Sequence, residues 1–148
     1  MTKWLVVSCL FVTLLGCAAT PSVEQQRQGL EELMGLAQVA YGDGRMADAE
    51  RHLHAITERY PDTVTAWLRL GNVFYRTGRF DAAVHAYEQT LRYDSRNGQA
   101  WHNLALTRMQ QARSNIEAGL GSTVPGSQDY EALVRLQQSL GAVKDSGF

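Results

Sequence analysis

A spacing of 34 residues recurs along this chain and limits what it can fold into. Large apolar residues repeat at Leu33, Trp67 and Trp101, and a leucine follows each of them three positions later. The residue after that leucine is small in every copy, as alanine, glycine and alanine. Fixed periods of this length are typical of arrays in which each helical hairpin buries its apolar face by stacking on its neighbours. The period therefore predicts an all-α fold of stacked hairpins.

Within each period, apolar residues recur every three or four positions, which is the spacing of one helical stripe. Gly44 and Gly78 interrupt the stripes at equivalent places and supply the turns between paired helices. Ser22 and Gln25 have the spacing of a capping box, which predicts the start of the first helix. The stripes of the first two hairpins cover residues 30–41, 46–58, 64–76 and 80–92.

The third copy departs from the pattern after its first helix. Glu117 stands where a small residue is expected, and the apolar stripe simply continues, so this helix is predicted to run to about Ala118. A loop is predicted over 119–128, followed by an amphipathic helix that Gly141 ends. We interpret this last helix as the displaced second helix of the third copy, which caps an open apolar edge. The alternative is a segment that docks on a partner.

The second copy carries the most complete motif, which consists of Trp67, Leu70, Gly71, Phe74, Gly78, Ala83 and Tyr87. This motif resembles the tetratricopeptide repeat, with Ser95 at the position where proline is usual. The resemblance implies a solenoid of about three repeats and a role in binding other proteins. The repeats would cover 30–63, 64–97 and, as a partial copy, 98–118, with the C-terminal capping helix and tail in 129–148.

In that family, the first helix of each repeat lines a concave groove that holds a peptide or a helix. Carried over position by position, the groove would be lined by Met34, Gln38, Tyr41, Leu68, Asn72, Tyr75, His102, Leu106 and Met109. Chaperone-binding members place lysines and arginines at such positions, and this sequence has none there. We therefore expect a partly apolar partner segment, bound through both the N–H and the C=O of the Asn72 amide and with little salt dependence. For Leu68 and Leu106, packing between repeats is an equal alternative.

The N-terminus has the character of a targeting signal. Lys3 precedes an apolar run from Trp4 to Leu15, which is too short to span a bilayer but fits a secretory signal. The run ends in Leu-Leu-Gly before Cys17, and this resembles the bacterial lipobox. The resemblance implies removal of residues 1–16 and acylation of Cys17. The alternative is an ordinary signal peptide with an incidental cysteine.

The lipobox resemblance has consequences for location. Two or more acyl chains anchor a protein stably, so residues 17–29 would form a lipid-anchored N-terminus and the start of the first helix. Ala18 follows the cysteine, where an aspartate tends to retain a Gram-negative lipoprotein at the inner membrane. We therefore expect an outer-membrane lipoprotein that faces the periplasm, if the host is Gram-negative.

Other chemistry finds little support in the sequence. The net charge is −1 without a basic run, which argues against nucleic-acid binding, and both cysteines lie in the first seventeen residues. His52 and His54 are two apart on a predicted helix and face different directions, so they do not form a metal site. No nucleotide-binding loop or catalytic set is present. We predict no enzyme activity, no cofactor and no small-molecule substrate.

These observations favour a lipid-anchored adaptor that holds a partner protein at the periplasmic face of the outer membrane. Similar lipoproteins act in pilus and secretion systems, where some help a secretin to assemble. The alternative is a scaffold or activator of cell-wall enzymes. An envelope hydrolase is the least favoured reading, because it would need catalytic residues that the sequence lacks.

Overall fold

The computed structural model describes residues 22–145, and within them it contains six α-helices and no strand. The helices are α1 (Val23–Gly42), α2 (Met46–Arg59), α3 (Val64–Arg76), α4 (Phe80–Tyr93), α5 (Gly98–Ser122) and α6 (Gln128–Asp145). Each packs on the next along the chain, so the predicted all-α solenoid of helical hairpins is confirmed. The predicted signal segment and Cys17 lie outside the described residues. No helix in the described range is long and apolar enough to cross a bilayer.

Local hydrogen bonds explain where the helices begin and turn. The predicted capping box is confirmed: the Ser22 hydroxyl accepts from the Gln25 N–H at 3.2 Å, and the Gln25 side chain accepts from the Ser22 N–H at 2.8 Å. The turns after α1 and α3 contain Gly44 and Gly78, whose φ angles are +77° and +73°. Left-handed backbone of this kind suits glycine, so both turns follow from the predicted glycines.

The core lies between paired helices, and Tyr87 in α4 is the largest fully buried side chain among the described residues. Its ring is 1% exposed and lies so close to α3 that a Cβ at Gly71 would come within 3 Å of three ring atoms. Ala37 occupies the equivalent position in α1 and is also buried. Small residues here bring the two helices of a hairpin together, which allows large side chains to fill the remaining space. The fully buried large side chains are Tyr87, Leu53, Ile56, Leu70, Val73, Thr90 and Thr107.

Charged groups join repeat one to repeat two on the outer surface. Arg79 forms a two-pronged ion pair with Glu50 of α2, and its guanidinium carbon lies 4.6 Å above the Phe74 ring. The hydrogen bond from Arg79 holds the pKa of Glu50 below its usual range. The His54 ring is 5.9 Å from the Phe74 ring and near Glu50, so this exposed histidine takes part in the junction.

The end of the chain differs from its predicted boundaries. Helix α5 continues past Ala118 to Ser122. It does not turn at Ala112, the position equivalent to Gly78, because alanine is a strong helix former. The loop predicted over 119–128 therefore shortens to 123–127. Helix α6 begins at Gln128, where the Ser127 hydroxyl accepts from the Tyr130 N–H at 3.2 Å.

Gly141 does not end α6, which the sequence had predicted. The helix continues to Asp145, and the only glycines with positive φ in the described range are Gly44, Gly78 and Gly126. A glycine ends a helix when its backbone takes the left-handed conformation. A glycine with helical backbone only lowers the stability of the helix that continues through it. The α6 helix packs against α5, where Leu133 contacts the backbone at Gly119.

Candidate partner-binding groove

Three adjoining cavities run across the inner helices α1, α3 and α5. The first, of about 140 Å³, lies between α1 and α3, and it shares Tyr41 and Asn72 with a second cavity of about 100 Å³. The second shares Tyr75 and Leu106 with a third cavity of about 380 Å³, which lies between α5, α6 and the end of α3. Because neighbouring cavities share lining residues, they adjoin in a row along the inner helices, and this row is called the inner groove below.

Of the nine residues predicted to line this groove, six border it: Gln38, Tyr41, Asn72, Tyr75, Leu106 and Met109. Met34 and Leu68 are half-buried and pack against the hydrophobic core instead. The structure therefore separates the two leucines, with Leu106 at the groove and Leu68 in the packing between helices. His102 is exposed and does not border these three cavities.

Asn72 is already engaged within the protein. Its Oδ1 accepts a hydrogen bond from the Tyr87 hydroxyl and another from Asn103 Nδ2, both at 2.9 Å. Burial raises the pKa of Tyr87, so the phenol stays protonated and available to donate. The expectation that Asn72 both donates to and accepts from a partner backbone is therefore wrong, since only its Nδ2 group remains for a ligand.

Two residues that border the groove were not predicted from the sequence, and both occupy the same position of the repeat. Arg69 borders the first cavity and Asn103 the second, and the two residues are 34 apart, each two positions after a tryptophan. The repeat period itself was the signal that could have found them. This position points between neighbouring inner helices, as the hydrogen bond from Asn103 in α5 to Asn72 in α3 shows.

The groove also holds more charge than its predicted lining suggested. Arg69, Arg76 and Arg113 each border one of the three cavities. The guanidinium carbon of Arg76 lies 4.8 Å above the Tyr41 ring, a cation–π contact between α3 and α1. The expectation of an uncharged groove is wrong, because arginines at neighbouring helical positions reach the cavities with their long side chains.

Helix α6 supplies part of the groove wall. Gln137, Leu140 and Gly141 face Met109 and Arg113 across the third cavity. This helix therefore both packs on α5 and borders the space that a ligand would occupy. Within residues 22–145, the groove included, no group of three or more histidine, cysteine, aspartate or glutamate residues is placed to hold a metal ion.

Stacked helical hairpins around a concave groove define a helical-repeat binding protein. A tetratricopeptide repeat family model matches residues 34–84 and 68–114, which together span more than half of the chain. The chain belongs to the tetratricopeptide repeat family. Proteins of this family bind other proteins and generally act as non-enzymatic adaptors, so the chain is a protein-interaction module.

A curated relative supports the same assignment. The chain is 30% identical over 109 residues to a protein named heat shock protein sti1 homolog, from Schizosaccharomyces pombe. The match covers 69% of this chain but only 18% of the relative. The chain therefore spans less than a fifth of the relative's length.

Proposed function

We propose that this protein is a lipid-anchored adaptor that holds a segment of a partner protein in the inner groove, at the periplasmic face of a Gram-negative outer membrane. The observation that carries the binding part is the row of adjoining cavities across α1, α3 and α5. The lipobox-like sequence that ends at Cys17 supports the anchor. Ala18 after that cysteine supports sorting to the outer membrane.

The groove offers a ligand both contact area and hydrogen bonds. Tyr75 is 37% exposed where two cavities meet, with its ring packed against Phe80 at 5.7 Å between centroids. A tyrosine held in this way gives a rigid amphipathic contact at little entropic cost. Gln38 is exposed at the first cavity, and Leu106 and Met109 supply apolar walls at the others. An extended or helical segment with some apolar side chains fits this lining.

The groove is tested by placing a photo-crosslinking amino acid at Gln38 in living host cells and identifying the captured protein. The same residue at His52, on the outer helix α2, is the matched control, since His52 borders none of the three cavities. His54 is unsuitable as a control because it contacts Phe74.

The captured protein is then purified and titrated calorimetrically. Tyr75→Ala is expected to weaken its binding by about 2 kcal/mol, as for a groove hot spot, and His52→Ala to leave it unchanged. Equal capture from both positions, or normal binding by Tyr75→Ala, would contradict a groove-based function. Loss of binding only on changes in α6 would make that helix the recognition element.

The anchor is tested separately through Cys17→Ser. This variant is expected to lose acyl labelling and to retain its signal segment, because the lipoprotein peptidase requires a modified cysteine. Unchanged processing and membrane retention would rule out lipidation at this residue. The identity of the captured partner addresses the cellular role. A secretin or pilin component supports pilus or secretion assembly, and a wall synthase supports the cell-wall alternative.

A further inference from the structure

The inner groove gathers positive charge in a chain whose formal net charge is −1. Three arginines line its cavities, and Glu117 is the only carboxylate among the lining residues. We propose that the groove selects a partner segment that carries several side-chain carboxylates. This inference rests on the partner-binding function proposed above and specifies the chemistry of the bound segment.

The groove arginines are free to bind such a segment. Some arginines outside the groove are engaged in ion pairs: Arg45 pairs with Asp48 at 2.8 Å, and Arg108 with Glu88 at 3.0 Å. Across residues 22–141, whose side chains the structure describes, Arg69, Arg76 and Arg113 form no ion pair. Within these described residues, no carboxylate pairs directly with the three groove arginines, although Glu117 borders the same cavity as Arg113.

The contact of Arg76 with Tyr41 prepares its guanidinium for a ligand. The group lies over the face of the ring, and a stacked guanidinium keeps its N–H donors at its edges, where a carboxylate can reach them. The ring also limits the motion of a long side chain, so less conformational entropy is lost when a carboxylate binds. Arg76 is thus the best-organised cation of the three.

The spacing of the arginines favours carboxylates along a segment over a single chain terminus. Arg69 and Arg76 are seven residues apart on α3, which corresponds to about 10 Å along the helix axis. Arg113 lies further along the groove, on α5. One terminal carboxylate meets one such site at a time. A segment that meets all three arginines must therefore carry several carboxylates spread along its length.

Three synthetic peptides test this selection. Each has twelve residues, an acetylated N-terminus, an amidated C-terminus and the same leucine, alanine and tyrosine residues, with glutamate, glutamine or lysine at every third position. Binding to the full chain in a non-ionic detergent is followed by fluorescence anisotropy. The glutamate peptide is expected to bind at least tenfold more tightly than the glutamine peptide, and the lysine peptide most weakly. Most of this preference should disappear at about 0.5 M salt because exposed charges are screened.

Variants of the protein assign the effect to the groove. The combined change of Arg69, Arg76 and Arg113 to glutamine is expected to weaken the glutamate peptide at least tenfold and to leave the glutamine peptide unchanged. Arg92→Gln is the matched control, since Arg92 is exposed on the outer helix α4 and has no ion pair in the described structure. Arg113→Gln alone, at an exposed site, should lose about threefold and remains informative if the combined variant unfolds.

The outcomes separate this inference from the function on which it rests. The selection of acidic segments would be overturned if the glutamate and glutamine peptides bound equally well, or if no peptide bound. It would also be overturned if Arg113→Gln and the combined variant both bound the glutamate peptide normally. The groove function would still stand if Tyr75→Ala weakened the partner captured at Gln38. It would fail if the Tyr75 variant bound that partner normally.

Discussion

Repeats two and three begin alike and end differently. The indole N–H of Trp67 donates to the Pro61 carbonyl at 2.8 Å, and that of Trp101 donates to the Ser95 carbonyl at 3.0 Å. After this shared start, α3 stops at Arg76 and α4 folds back along it, whereas α5 continues to Ser122. The same family motif therefore leads to a closed hairpin in one copy and to a long helix in the next.

One backbone position explains the difference. Gly78 turns the chain after α3 with a φ of +73°, and the residue 34 positions later is Ala112, which lies inside α5. A left-handed conformation costs a residue with a Cβ roughly 1–2 kcal/mol, and alanine is the best helix former. The alanine therefore favours continuation. As a result, Trp67 lies half-buried beside His85 of α4, while Trp101 is 55% exposed.

The departure of repeat three from the pattern also shapes the groove. Because α5 is long, it carries Arg113 and Glu117 beyond the inner face of the shorter helices, and α6 returns beside them. The largest of the three groove cavities, about 380 Å³, lies here. The regular repeat supplies the scaffold, and the irregular one supplies the widest part of the candidate site.

The largest expected loss of unfolding free energy comes from emptying the core of repeat two, and the matching change in repeat three should cost less. Tyr87→Ala should cost about 3–5 kcal/mol of unfolding free energy, because it empties the buried space between α3 and α4. Leu133→Ala, at the half-buried contact of α6 with α5, should cost about half as much. Urea denaturation followed by circular dichroism measures both. Equal losses would mean that α6 is held as firmly as α4.

Trp67 and Trp101 allow the same comparison of repeats two and three, with smaller expected losses of unfolding free energy. Trp67→Ala should cost about 3 kcal/mol, because its ring packs against the core and against His85. Trp101→Ala should cost about 1 kcal/mol, close to the value of its one hydrogen bond, since most of its ring is exposed. The same denaturation curves give both values. If Trp101→Ala lost as much unfolding free energy as Trp67→Ala, the Trp101 ring would have to be buried rather than exposed.

The smallest effects test the turn position itself. Gly78→Ala should cost about 1–2 kcal/mol by forcing alanine into left-handed backbone. Ala112→Gly should cost about 1 kcal/mol through lower helix propensity, with α5 remaining continuous. Thermal melts and helix content from circular dichroism report on both. A neutral Gly78→Ala variant would show that the turn does not depend on this glycine.

Much of the inner groove was predictable from the tetratricopeptide resemblance, because the family's lining positions carry over onto this chain in the 34-residue register. Tyr41, Asn72 and Tyr75 were found in this way, and they border the cavities. The role of Asn72 was not predictable, since its acceptor is used by Asn103, a residue 31 positions away in sequence. The groove arginines were missed because they reach the cavities from neighbouring helical positions.

The sequence by itself determined the helical hairpins, their order and the turns, because helix periodicity, capping residues and glycines act over a few residues. It also determined that the third copy would lack its regular second helix. Only the tertiary structure decided where α6 lies, that Leu68 packs inward while Leu106 faces the groove, and that His102 stays outside it. These outcomes depend on how whole helices pack against each other, and local sequence does not specify that packing.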